Sequence, residues 1–321
     1  MHYLSLSPCV LFFINNQQKN HFDMKTFRSI PFVLVTGLFF STACDPKPTA
    51  QTTSTVPDAP VTQSLFNGKD LSGWYTYQRR PEPGSDVPGM ARDEEGNYTQ
   101  PIGNNNDPLQ VFTVVVEDDS PAIRISGEVF GILVTEQEYE NYHLKLQFKW
   151  GQKKYAPREN DIRDSGILYH SIGKEGAWGD VWMKSLECQV QEGDCGDYIS
   201  VDTVMVDIPA LYNDQKRYNY QAGAEKMTFS HERSYCDHGA DHENPTGEWN
   251  TMEIYTANGN SVHLVNGVVN MATFNSRYPG PDGTEIPLVR GKIQLQSEGA
   301  EIFYRNIELT PIQEIPAEWM P

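Results

Sequence analysis

The stretch SLECQVQEGDCGDY, residues 185 to 198, carries the residues best suited to chemistry. Leu186, Cys188 and Val190 alternate with Glu187, Gln189 and Gln191, the period of a strand with one buried and one free face. The free face is a row of one carboxylate and two carboxamides, followed at once by Glu192 and Asp194. Carboxylates hold or move protons and ligate cations, while carboxamides donate and accept hydrogen bonds together, as the hydroxyls of a sugar require. Two further stretches share the pattern. HLKLQFKW (143–150) would bury Leu144, Leu146, Phe148 and Trp150 and leave Lys145, Gln147 and Lys149 free. KIQLQSE (292–298) would bury Ile293 and Leu295 and leave Lys292, Gln294, Gln296 and Glu298 free. Five glutamines on three strands suggest one shared polar face, with an ordinary solvated sheet surface as the alternative. Trp178, Trp182, Tyr169 and Tyr198 lie close enough in sequence to offer stacking surfaces.

The rest of the chain reads as the scaffold for that face. Short alternating segments at 122–126, 131–135, 166–171, 249–256, 261–266 and 301–309 join those three stretches, separated by Gly, Pro, Asn and Asp. TANGNSVHLVNGVVNM predicts two successive hairpins, with turns at 258–260 and at Asn266-Gly267. A short helix is expected only near 136–141. Many strands with almost no helix predict an all-β sandwich or jelly roll. Two irregular stretches, 77–110 and 206–247, are longer than ordinary connections and suit functional rims.

Composition narrows the function. With 43 acidic against 25 basic residues and a net charge of -18, the chain would be repelled by a nucleic-acid duplex or an anionic membrane surface. Residues 24–43 read as a lipoprotein signal ending in STAC, which makes Cys44 the lipidated first residue of the mature protein. Residues 1–23 then read as an upstream extension and 44–64 as a Pro/Thr/Ser-rich tether. The expected domain runs from 65 to 316, with a short tail at 317–321. The expected location is the periplasm or outer membrane of a bacterium, with membrane contact through the lipid alone. Cys188 falls on an apolar face as a buried thiol, whereas Cys195 and Cys236 could pair in an oxidising compartment. His238 and His242 stand four apart, but Gly239 and Pro245 argue against a metal-binding helix there.

The spacing of Glu187, Gln189 and Glu192 resembles the E-x-D-x-x-E strand of laminarinase-type glycoside hydrolases, which are concanavalin A-like jelly rolls, with Gln in the middle place. A broader resemblance runs through LFNGKDLSGW (65–74), YENYHLKLQFKW (139–150), DSGILYH (164–170), LECQVQEGD (186–194), GEWNTMEI (247–254), VHLVNG (262–267) and GKIQLQSEGAEIFYRNIEL (291–309). These segments stand in the order seen in the 3-keto-disaccharide hydrolase family.

That resemblance implies a single concanavalin/laminarinase-like jelly-roll β-sandwich that cleaves 3-keto-glycosides. The C3 ketone would acidify the C2 proton, a base would remove it, the C1 substituent would leave, and water would add. A sugar 3-dehydrogenase would supply the substrate; no nucleotide cofactor is implied, although a divalent metal is compatible. Carried onto this chain, His170 is expected as base or metal ligand and Glu187 as acid/base or metal ligand. Glu192 is a further catalytic candidate, Gln189 and Gln296 are expected to bind hydroxyls, and Lys149, Asp164, Asp194 and Glu298 to line the rim. Asp164, His170 and Glu298 depart from the family's commoner Asn, Arg and His. The competing readings are a non-catalytic carbohydrate-binding module and a conventional glycosidase using Glu187 and Glu192.

Overall fold

Alternation along the chain becomes two antiparallel sheets packed face to face, with the apolar half of each strand between them. The structure, a computed structural model, describes residues 60–320; the expected leader, Cys44 and most of the tether lie outside the described residues. One sheet has nine strands and the other twelve, and no helix occurs among the described residues. The turn at 136–141, where a helix was expected, instead leads into the short strand Tyr139–Glu140.

The nine-stranded sheet runs in the order Tyr235–Cys236, Tyr198–Val201, Lys184–Gln191, Asp164–Ile172, Arg290–Ser297, Gly131–Thr135, Trp74–Gln78 and Gly103–Asn104, and Tyr139–Glu140 pairs with Arg290–Ser297. The larger sheet is built around Tyr142–Lys154, flanked by Asn250–Ala257 and Ala300–Pro311. Leu144, Leu146, Phe148 and Trp150 of the larger sheet meet Ile167, Tyr169, Leu186, Cys188, Val190, Ile293 and Leu295 of the smaller one in a single core. Leu144 and Leu146 are almost fully buried, and truncation of such a side chain to alanine costs about 2–5 kcal/mol. Both expected hairpins form, with Asn258-Gly259 and Asn266-Gly267 at positive φ as a two-residue type I′ turn requires. Residues 206–247 are not a loop throughout, for they contribute strands including Met205–Tyr212 and Lys226–Phe229 to the larger sheet.

This architecture separates residues that share the same sequence pattern. HLKLQFKW belongs to the larger sheet, so Gln147 and Lys149 do not join the glutamines of the smaller one. Gln147 accepts hydrogen bonds from Arg305 and Asn306, and Lys149 pairs with Glu117 and Asp118 beside Trp249. Among the described residues Cys188, Cys195 and Cys236 are buried separate thiols; Cys195 and Cys236 do not pair.

Two of the places where the chain crosses between the sheets, through 126–130 and through 298–299, lie side by side. The crossings touch: the Gly299 amide donates to the Gly127 carbonyl at 3.1 Å, and Ser297 Oγ to the Val129 carbonyl at 2.7 Å. Gly127 has φ 82°, and a Cβ there would lie 2.4 Å from backbone atoms of Ala300, which cannot swing aside. Gly193 has nearly the same φ, 83°, with nothing within 4 Å. Gly193→Ala should therefore cost only the conformational strain, about 1–2 kcal/mol, whereas Gly127→Ala should cost about 3 kcal/mol or more. Urea unfolding midpoints of the two variants check this; equal losses would contradict the close crossing.

Candidate functional site

The free face of the nine-stranded sheet divides into a covered half and a polar half. The 173–183 loop folds back over one half, where Val181, Trp182 and Met183 pack on Ile132, Val134, Leu168 and Val201. Gln294 anchors this cover, accepting from the Met183 amide at 3.3 Å and donating to Ser171 Oγ at 2.6 Å. The other half carries the carboxyls.

Register builds that polar half. Glu187 lies opposite Leu168, Gln189 opposite Gly166 and Gln191 opposite Asp164, while Gln294 meets Leu168 from the other side. Gln296 and Glu298 continue the line of Gln294 on the same face. A Cβ on Gly166 would overlap both Glu187 Oε1 and Gln296 Oε1, so only glycine leaves room for these two groups to converge. Asp164 is the hub: it accepts from Gln189 Nε2 at 3.2 Å, from Gln191 Nε2 at 2.6 Å and from Arg158 Nη1. The same Arg158 nitrogen reaches Glu298 Oε1 at 2.9 Å. Arg158 is placed by a turn docked on the second crossing, in which the Tyr155 amide donates to the Gly299 carbonyl at 2.8 Å and the Arg158 amide to the Tyr155 carbonyl at 2.9 Å.

Two carboxyls therefore share one guanidinium, with Glu187 close enough to feel their charge, and in so buried a site the three cannot all be ionised. Burial pushes Glu187 well above the usual carboxylate range, and the negative charges of Glu298 and Asp164 push it further. Glu298 is lifted to about 8 by burial and by Asp164, against the pull of Arg158. Asp164 is raised by burial to about 6, with Arg158 and Gln191 opposing the rise. Near neutral pH the cluster thus holds a protonated acid, a group close to its titration point and an ion-paired carboxylate. The Oε1 atoms of Gln189 and Gln296 are buried without a hydrogen-bond partner, which leaves two acceptors available to a ligand's hydroxyls.

The other expected residues lie elsewhere. A bulge at the Asp164–Ile172 strand, with His170 at φ 49°, reverses the alternation, so Ser171 takes the outward place and His170 turns into the core. Its ring packs edge-on against Tyr142 and Tyr169 at 5.7 and 5.5 Å, and burial lowers it to about 4. His170 and Glu187 face opposite sides of the sheet and cannot share a metal ion or a substrate. Glu192 is locked on the rim by the Arg163 amide at 2.9 Å, the Arg163 guanidinium at 2.8 Å and Thr246 at 2.7 Å. Partial burial opposes its ionisation, but these partners prevail and hold it below its ordinary range, as a structural anion. Lys149 is on the other sheet, as described above. Arg158, which no spacing in the sequence singles out, is the residue that organises the cluster.

Beyond the Glu187 strand, Asp194, Asp197 and His238 bring one oxygen or nitrogen each within 4.8 Å of one another and could hold a divalent cation. Two carboxylates and an imidazole suit such an ion. Asp197 already accepts from the His238 amide at 2.6 Å and from Tyr235 at 2.5 Å, so an ion there would enter an organised set of donors.

The raised carboxyls make stability depend on pH in a definite direction. Between the ordinary glutamate value of 4.5 and about 8, the folded state keeps protons on Glu187 and Glu298 that the unfolded state has lost. Stability therefore falls as pH rises through this window. Glu187→Gln removes one such group, so its Tm should gain on the unaltered protein between pH 5 and pH 8 by at least about 2–4 °C, the equivalent of 1 kcal/mol in a domain of this size. Thermal unfolding at the two pH values tests this, and a constant difference would overturn the assignment of a protonated Glu187.

Among solved structures, a putative glycosyl hydrolase from Parabacteroides distasonis aligns with a TM-score of 0.42 and 19% identity over 78% of this chain and 94% of its own. The Bacillus licheniformis β-glucanase aligns at 0.34 and 11% identity, covering 80% and 100%, and carbohydrate binding module CBM66 from Bacillus subtilis at 0.35 and 7%, covering 61% and 91%. No curated protein shows significant similarity to the chain. The model of the 3-keto-alpha-glucoside-1,2-lyase-like domain matches residues 61–310, which include both sheets and every residue of the carboxyl cluster, and the chain belongs to that carbohydrate-active family.

Proposed function

We propose that this protein cleaves 3-keto-glycosides by removing the C2 proton, expelling the C1 substituent and adding water. The observation that carries this reading is the set of three buried carboxyls, Asp164 and Glu298 paired with Arg158 and Glu187 beside them, above a floor of Gly166 and two unpartnered amide oxygens. A ketone at C3 makes the C2 proton acidic enough for a carboxylate of raised pKa to remove, and Glu298 is such a group. In its ionised form Glu298 takes the proton as the C2–H bond breaks, and the electron pair passes to the C3 oxygen. The positive charge of Arg158 stabilises that enediolate electrostatically. The pair then returns to form the C1–C2 double bond as the C1–O bond breaks, and Glu187 gives its proton to the departing oxygen. Addition of water across C1–C2 restores the 3-keto sugar, and the net reaction is hydrolysis. Gln189 and Gln296 hold ring hydroxyls, and Asp164 keeps Arg158 in place. A cation at Asp194, Asp197 and His238 would brace the turn that follows the Glu187 strand.

The reading extends to the protein's surroundings. The signal and Cys44 support an exported lipoprotein of the cell envelope, and the ketone requires an upstream sugar 3-dehydrogenase.

The test is incubation in heavy water with methyl 3-keto-α-glucoside beside its unoxidised counterpart, followed by NMR. Cleavage of the keto sugar alone, with deuterium entering at C2, is expected. The rate should climb with pH through about 8 as Glu298 ionises, and Glu298→Gln should lower it by roughly 100-fold or more, while Glu192→Gln leaves it nearly unaltered. Equal cleavage of both sugars without exchange would point instead to a conventional glycosidase. Binding without cleavage of either would point to a carbohydrate-binding module.

A further inference from the structure

The row of outward side chains continues beyond Glu298. Gly131 pairs with Ser297 on one side and Gln78 on the other, so the next residues, Glu298, Phe130 and Arg79, come side by side at the same edge of the sheet. The Arg79 amide donates to the Phe130 carbonyl at 3.0 Å, which carries the pairing one residue past the end of the ladder. At the backbone Arg79 and Glu298 are two strand spacings apart, about 10 Å. The Arg79 guanidinium lies over the group between them, 4.0 Å from the centre of the Phe130 ring. Stacking fixes a guanidinium without neutralising it, so its field still reaches past the ring.

Glu298 is short of positive charge. Its nearer cation, Arg158, comes from the side of the Asp164–Ile172 strand and divides one nitrogen between Glu298 and Asp164, where Glu187 adds a further carboxyl. Arg79 stands on the other side, and its charge opposes the rise in proton affinity that burial and Asp164 impose on Glu298. The remaining charges nearby have partners of their own. Glu82 contacts the Arg79 guanidinium at 2.5 Å, so it holds the cation and cancels part of its field. Arg80 lies 3.7 Å from Asp180 of the covering loop across a cleft of about 570 Å³ that opens at Arg79, with Asp93 in the hairpin at its outer wall. Glu128, on the same crossing as Phe130, acts on Tyr155.

We infer that Arg79 is the second counter-charge of Glu298, a positioning residue that is stacked on Phe130, braced by Glu82, and favours the carboxylate of Glu298 from the side opposite Arg158. The inference rests on the reaction proposed above, in which that carboxylate is the base. Its mark is a pair of opposite effects. Removing the charge of Arg79 weakens the carboxylate form of Glu298, and removing the charge of Glu82 strengthens it. A merely structural role would alter the stability of both variants and the proton affinity of Glu298 in neither.

The experiment titrates the Glu298 carboxyl in the intact protein by carbon-13 NMR with labelled glutamate, its signal assigned by its loss in Glu298→Gln. The midpoint is compared with that of the pH–rate profile for methyl 3-keto-α-glucoside. Arg79→Gln should raise both midpoints by roughly 0.5 in pH, Glu82→Gln should lower both, and Arg79→Lys, which keeps the charge, should restore most of the difference. Urea midpoints confirm that the variants are folded. The Glu82 side chain is 36% exposed, so that arm decides the matter even where Arg79→Gln does not fold. A midpoint that stays put in either glutamine variant, or moves the same way in both, overturns the inference. If the carboxyl titration moves as expected while the keto sugar is cleaved at no pH, the reaction reading falls and the counter-charge stands.

Discussion

Arg158 is the group on which the polar face depends. It bridges Asp164 and Glu298 through a single nitrogen, at a place where two carboxylates would otherwise repel each other in a medium of low dielectric. A half-buried cation between two acids keeps one ionised and leaves the next close to its titration point, which is the condition that acid–base chemistry near neutrality requires. Without it, protonation would spread over all three carboxyls and the difference between acid and base would be lost. The fold supplies this guanidinium from a loop, yet the loop is fastened to the Gly299 crossing, so its position is set by the join between the sheets.

The sheet itself contributes position more than chemistry. Leu186, Cys188 and Val190 tie the Glu187 strand into the core, and each residue between them is held to the opposite face at fixed spacing. The carboxyl of Glu187 and the amide of Gln296 come from strands that are not neighbours, separated by the Asp164–Ile172 strand. They converge because Gly166 between them has no side chain. The covering loop excludes water from one half of the face, while on the other half the burial of Glu187 and Asp164 themselves raises their proton affinities.

Much of this was readable in the sequence, and what was not has physical causes. Alternation correctly placed Glu187, Gln189, Gln191, Gln294, Gln296 and Glu298 outward, because each strand keeps its pleat. It could not say which sheet a strand would join, so HLKLQFKW, with the same pattern, lent Gln147 and Lys149 to a face they do not share. It also failed at His170, where one residue in the left-handed region shifts the parity and exchanges an expected base for a core side chain. Arg158 lies in a turn with no period, so nothing local distinguishes it from the arginine at 163, which holds Glu192 and the Gly151 carbonyl. The cysteines show the same limit: Cys195 and Cys236 are both buried, but by different elements.

The outer wall of the Arg79 cleft belongs to the segment between the Trp74–Gln78 and Phe112–Glu117 strands, whereas the carboxyls stand on the Asp164–Ile172 and Lys184–Gln191 strands and just past Arg290–Ser297. Surface loops tolerate insertion and replacement at little thermodynamic cost, while strand register does not. Change in that one segment can therefore redraw the cavity beside the cluster while the proton-handling groups keep their places. Divergence within such a scaffold would proceed by exchanging one loop and leave the carboxyl cluster unaltered.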